Sequence, residues 1–152
     1  MSTFALPPGT SYVAAAVLST IYVLVFQVLN VVKYRGLAGI KYPRVYADEK
    51  EMAANINALK FNCAQRAHQN TLEYLPLLVS ATLITALKYP TLAASALGLW
   101  SFSRVGYTLG YTTGDPNKRT NALSVLHYPI TCGLLASSTY TVIQLVLAEH
   151  RS

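Results

Sequence analysis

The chain has 152 residues, of which 53% are hydrophobic and only 12% charged, and its mean hydropathy is positive. A soluble domain of ordinary usage is about 25% charged, so the composition argues against one and points to a membrane protein. The formal net charge of +6 does not argue for nucleic acid as a partner, because the charges gather at the ends of apolar stretches and form no basic face.

In chain order, residues 12–32 are an uncharged run long enough to cross a hydrocarbon core about 30 Å thick at about 1.5 Å per residue. No basic segment precedes the run and it exceeds a usual signal-peptide core, so it reads as a retained first span. A cation-rich connection follows, with Lys33, Arg35, Lys41, Arg44, Lys50 and Lys60. Residues 61–87 form a second span, polar in its first half and plainly apolar in its second. Residues 91–113 form a third with Arg104 as its one charge, and residues 122–148 a fourth, uncharged while His127 is neutral. Spans and connections use the whole length, so 1–152 reads as one all-α membrane domain, an up-down bundle of four transmembrane helices. Lys118 and Arg119 lie between spans three and four, and the opposite side carries only Lys88 and Arg151. The positive-inside rule therefore puts both basic connections in the cytosol and both termini across the membrane, which is the lumenal side in the endoplasmic reticulum. Cys63 and Cys132 have neither disulfide nor metal-ligand spacing and read as small residues tolerated in a bundle. The sequence contains no glycine-rich phosphate loop, internal repeat or His/Cys zinc pattern, so no metal is expected.

Arg66, Asn70 and Glu73 in the polar half of span two are spaced i, i+4, i+7 and share one helix face. A tight turn at 88–90 makes spans two and three antiparallel neighbours. Counted from Tyr89, Glu73 is sixteen residues back and Arg104 fifteen forward, which predicts that these two charges pair at one depth. Asn70 then comes level with Tyr107 or Thr108, and Arg66 with Tyr111. Arg104, Tyr107 and Tyr111 share a face in turn. Gly106 and Gly110 form a small-residue edge for a neighbouring helix, and Pro76 is expected to weaken or kink span two near Glu73. Gln27 and Asn30 in span one could bond across helices.

A lone Glu–Arg pair would only fix helix register, and tyrosines alone could form an interfacial belt. A mid-membrane charge costs about 2.5–3.5 kcal/mol on insertion scales, however, and a second arginine, an asparagine and two tyrosines exceed what one pair needs. The pattern predicts a polar pocket for a small zwitterionic anion. Arginine's planar fork suits carboxylates, Glu73 suits an ammonium, and tyrosine hydroxyls add donors without charge. A small transporter or proton relay using Glu73, Arg104 and His127 is the alternative on the same residues, although His127 reads first as a hydrogen-bonded bundle histidine.

The stretches FNCAQRAHQNTLEYLP and RVGYTLGYTTGDPNKR resemble the second and third helices of the MAPEG family, most closely its type-3 microsomal glutathione transferases, and the four-span plan extends the resemblance over the whole chain. The resemblance implies a homotrimer in the endoplasmic reticulum membrane, with glutathione as co-substrate bound between subunits near the cytosolic side. It implies glutathione binding by Arg66, Asn70, Glu73, Tyr74, Tyr107 and Tyr111 of one subunit, Arg104 bracing Glu73, with Arg35 and His68 supplied by the neighbour. His68 departs from the glutamine of leukotriene-forming relatives. In those relatives the arginine that stabilises the thiolate comes seven residues after the second tyrosine, which here is Lys118. A one-residue shift in the turn at 114–116 assigns the role to Arg119, with Lys118 as the alternative. The activity implied is glutathione transfer, with peroxidase and leukotriene-C-synthase-like reactions, on a lipophilic electrophile or lipid hydroperoxide arriving from the bilayer lipids. A cation at the sulfur would favour the thiolate that attacks. The family also has a lipid-binding scaffold without this chemistry, which would be expected to lose the polar set kept here.

Overall fold

The computed structural model describes residues 8–151. Among them are five α-helices and no strand: α1 (Thr10–Ala38), α2 (Glu49–Ala54), α3 (Ile56–Ala86), α4 (Pro90–Tyr111) and α5 (His127–Glu149), with 3₁₀ turns at Pro116–Arg119 and Ser124–Leu126. Two stretches, Thr10–Ala38 and Ser124–Glu149, are long and apolar enough to cross a membrane. α3, with 31 residues, and α4, with 22, are of similar length but carry more polar side chains.

Local chemistry sets the ends. α1 stops where Gly39 takes φ +70° and the Ile40 N–H reaches back 3.3 Å to the Arg35 carbonyl, a closure that glycine enters without steric cost. The first connection is more ordered than its composition suggested. Asp48 accepts from the Glu51 N–H and Glu51 accepts from the Asp48 N–H, each at 2.9 Å, a reciprocal cap that starts α2. Asn55 caps α3 by accepting from the Asn57 N–H at 2.9 Å. α3 remains helical through Pro76. Pro90 occupies the first position of α4, where its missing N–H costs nothing and its fixed φ suits a helix start.

α1 packs on α3 and α4, and α5 on the other side of α3 and α4. A Cβ on Gly9 would lie 3.0 Å from Pro90, and Lys88 and Tyr89 each donate to Gln144 at 3.1 Å. The start of α1, the α3–α4 turn and the last part of α5 therefore meet at one end. Both basic connections lie at the other end. Val13, Ala16, Leu78, Ala81, Ala94, Leu97, Trp100 and Leu134 make the core, and its alanines let the helices approach closely. Ile40, Ala47, Ala58 and Phe61 pin the first connection to α3. Buried Thr71, Thr85, Thr108 and Thr141 return their hydroxyls to carbonyls one turn back at 2.8–3.1 Å, so these hydroxyls enter the interior satisfied. Outer positions such as Leu18, Ile21, Leu29, Val142, Ile143 and Leu147 are apolar and exposed, the inverse of a soluble surface.

Candidate active site

The site begins with a buried arginine. Arg104 on α4 is 1% exposed. Its Nε donates to Thr71 Oγ1 at 3.1 Å and its Nη2 to Asn70 Oδ1 at 2.8 Å, while its guanidinium lies 4.0 Å from the centroid of the Tyr107 ring. Gln27, buried on α1, donates to both Thr71 Oγ1 and Thr108 Oγ1 at 2.8 Å. Three helices are thus joined by one polar network around Arg104. Asn30 instead donates to the Phe26 carbonyl of its own helix at 2.9 Å.

The expected Glu73–Arg104 pair does not form. Glu73 pairs with Arg66, at 2.6 Å from Nη1 to Oε1 and 3.3 Å from Nη2 to Oε2. The turn at 88–90 sets how deep each residue lies but leaves open which way its helix is rotated. α3 turns Thr71 inward toward Arg104 and leaves Glu73 on the outer edge, with a side chain 53% exposed. Asn70 stands between the two charges. Its Oδ1 accepts from Arg104 and its Nδ2 donates to Glu73 at 3.4 Å, the one orientation in which an amide serves a donor-only and an acceptor-only partner.

Arg119 reaches the same place from the other side. Asp115 accepts from the Asn117 N–H at 3.0 Å and starts the 3₁₀ turn, and Arg119 Nη1 donates to the Pro116 carbonyl at 2.8 Å. The guanidinium then lies 5.7 Å from the centroid of Tyr111, whose ring meets Tyr107 edge to face at 5.5 Å. Asn121 clamps the connection to α4 by donating to the Gly106 carbonyl at 2.9 Å. The glycine edge of α4 therefore receives this connection, where a neighbouring helix was expected. A Cβ on Gly110 would lie 2.1 Å from the Lys118 carbonyl, and one on Gly106 would lie 2.7 Å from Leu123.

These elements enclose a pocket of about 110 Å³. Asn70, Tyr74, Arg104 and Tyr107 line it from α3 and α4, and Arg119, Thr120, Ser124, His127 and Tyr128 line it from the last connection and the start of α5. Arg66 and Glu73 join it through Asn70, and Tyr111 through its contacts with Tyr107 and Arg119. Arg35, His68 and Lys118 are not brought there within one chain. Lys118 is exposed and offers its carbonyl to Asn121 at 3.2 Å. His68 has a buried Nδ1 with no partner among the described residues. Arg35 lies between the rings of Tyr42 and Phe61, 4.2 and 4.5 Å from their centroids, and donates to the Arg44 carbonyl at 2.7 Å. Arg44 is itself held by Glu51 at 2.8 and 2.5 Å. That hydrogen-bonded guanidinium pulls the Glu51 carboxyl down to about 2 and raises Arg44.

Thr71, Trp100, Thr120, Ser124 and Tyr128 were missed as parts of the site. Trp100 had a signal, since it lies one helical turn before Arg104 on the same stripe as Tyr107 and Tyr111. Thr71 depends on how α3 is rotated, and Thr120, Ser124 and Tyr128 on how the last connection folds back, neither of which periodicity encodes. The sequence matches the family model over residues 13–139, a range that contains every residue lining the pocket. The chain belongs to the MAPEG family, membrane proteins that include glutathione transferases and peroxidases as well as non-enzymatic members.

Proposed function

We propose that this chain is a glutathione transferase with glutathione-dependent peroxidase activity, most similar to the type-3 microsomal members, acting on lipophilic electrophiles or lipid hydroperoxides from the bilayer. In this reading α1, α3, α4 and α5 all cross the endoplasmic reticulum membrane, the basic connections are cytosolic, and three copies assemble with glutathione between them. One observation carries the reading: two arginines, Arg104 and Arg119, line one small pocket, and a third, Arg66, is paired with Glu73 at its outer edge and joined to it through Asn70. Glu73 and Arg66 remain 53% and 43% exposed, a layout suited to a ligand with both an ammonium and carboxylates.

Arg119 is the residue assigned to the sulfur. It borders the pocket, whereas Lys118, its alternative, does not. A guanidinium at the sulfur favours thiolate over thiol. In the transferase reaction the thiolate attacks carbon and displaces a leaving group or adds across an activated double bond. In the peroxidase reaction it attacks the peroxide oxygen, breaking the O–O bond to release the alcohol and leave a glutathione sulfenic acid that a second glutathione converts to the disulfide and water. Arg66, Asn70, Glu73, Tyr74, Tyr107 and Tyr111 hold the peptide, and Arg104 fixes Asn70. Arg35 and His68 are supplied by the neighbouring subunit.

The test is an ultraviolet difference spectrum of the detergent-solubilised protein on mixing with glutathione at neutral pH. A thiolate band that a non-reactive glutathione analogue displaces is the expected result. Binding without thiolate, or no binding, would replace this reading with a lipid-binding scaffold.

A further inference from the structure

We propose that His127 is a ligand-binding residue of this pocket, held by Trp100 as a hydrogen-bond donor whose Nε2–H meets a carboxylate of the ligand beside Arg104. This rests on the glutathione reading of the site. Trp100 Nε1 lies 2.8 Å from His127 Nδ1. An indole N–H can only donate, so Nδ1 carries the lone pair and the ring's hydrogen sits on Nε2. Protonating Nδ1 would turn two N–H groups on each other. The ring is therefore neutral and cannot act as a general base. Its position is fixed as well as its tautomer, by the Tyr74 ring edge-on at 4.5 Å and the Tyr128 ring at 5.1 Å.

His127 is 6% exposed and lines the pocket together with Arg104 and Arg119. No described residue forms a hydrogen bond with Nε2. None of the residues lining the pocket is an aspartate or glutamate, so a charged acceptor for this donor has to arrive with the ligand. A carboxylate offers two oxygens and can take both the imidazole N–H and an arginine. Glu73, on the outer edge of α3, remains for the ammonium.

The chain contains one tryptophan, and it is one hydrogen bond from the proposed contact, so its fluorescence reports binding directly. Titrations with glutathione and with its two monoesters, each lacking one carboxylate charge, are compared in the wild type, His127→Asn and His127→Phe. Asparagine keeps an acceptor for Trp100 but stops short of the Nε2 position, and phenylalanine keeps the ring packing if the asparagine variant fails to fold. Loss of one hydrogen bond to a charged group predicts a rise in Kd of roughly tenfold for glutathione. One monoester should bind the wild type weakly yet show no further penalty relative to glutathione in the variants, the signature of a coupled pair. Unchanged glutathione affinity in both variants, or ester penalties equal in all three proteins, overturns the role of His127 and leaves the glutathione reading standing. No glutathione binding by the wild type overturns both.

Discussion

Arg104 and Glu73 carry opposite charges at similar depth, and their surroundings give them different duties. Arg104 is 1% exposed, with its Nε and Nη2 donating to Thr71 and Asn70, so Arg104→Met should lower the thermal stability of the detergent-solubilised protein. The Asn70 carbonyl loses its partner, at a cost of about 1–3 kcal/mol. Glu73 pairs at the surface of the chain with Arg66, and Glu73→Gln should leave the melting temperature nearly unchanged while glutathione affinity falls at least tenfold, an estimate based on the loss of one charge-assisted contact. Equal melting shifts in the two variants would show that Glu73 is a structural charge after all. The difference was not legible beforehand. Residue spacing put Arg66, Asn70 and Glu73 on one face and the turn set their depth, but the direction in which α3 presents that face depends on Thr71 and Gln27 packing around Arg104. Those are short or uncharged side chains that no motif marks.

The connection between α4 and α5 shows the same limit at the scale of an element. Its cations were evident as a basic loop, but their placement depends on Gly110 admitting the Lys118 carbonyl and on Asn121 bonding back to Gly106. Gly110→Ala would push a Cβ to 2.1 Å from that carbonyl. Because the obstacle is backbone, the connection has to lift, at an overpacking cost of about 1–3 kcal/mol. The expected outcome is loss of the thiolate band, as in Arg119→Ala, with a lowered melting temperature that Arg119→Ala does not share. A normal thiolate band in Gly110→Ala would detach Arg119 from the chemistry. Composition shows the first connection only as a cation-rich loop, and α2 within it follows from the Asp48–Glu51 cap. Glu51 titrates near 2, below the ordinary carboxylate range, because Arg44 holds its charged form. A depressed folded-state value contributes stability above the ordinary range and loses it as pH falls toward 2. The gap in melting temperature between the wild type and Glu51→Gln should therefore be constant near neutrality and close on acidification. A gap that widens in acid would contradict the assignment.

Across the whole molecule, the polar residues sort into two sets that do not meet within one chain. Arg66, Asn70, Glu73, Arg104, Tyr107, Tyr111 and Arg119 surround or adjoin one pocket, while Arg35 is held elsewhere by the first connection, through Tyr42, Phe61 and the Arg44 carbonyl. A pocket of about 110 Å³ holds only part of a tripeptide, and the Glu73–Arg66 pair faces outward from α3 with side chains 53% and 43% exposed. A neighbouring copy would cover that pair and complete the site, bringing its own Arg35. Subunit mixing tests this without a structure of the assembly. Arg35→Ala and Arg119→Ala should each be inactive as homo-oligomers, and co-assembly of the two should restore activity. A ring of heterologous contacts formed at random from equal amounts joins an intact Arg119 to an intact neighbouring Arg35 at about one site in four. Activity near a quarter of the wild type after co-expression, and none when the separately purified variants are mixed without exchange, is the expected pattern. If co-assembled subunits remain inactive although both single variants fold and form oligomers, the site is contained in one chain and Arg35 serves the first connection alone.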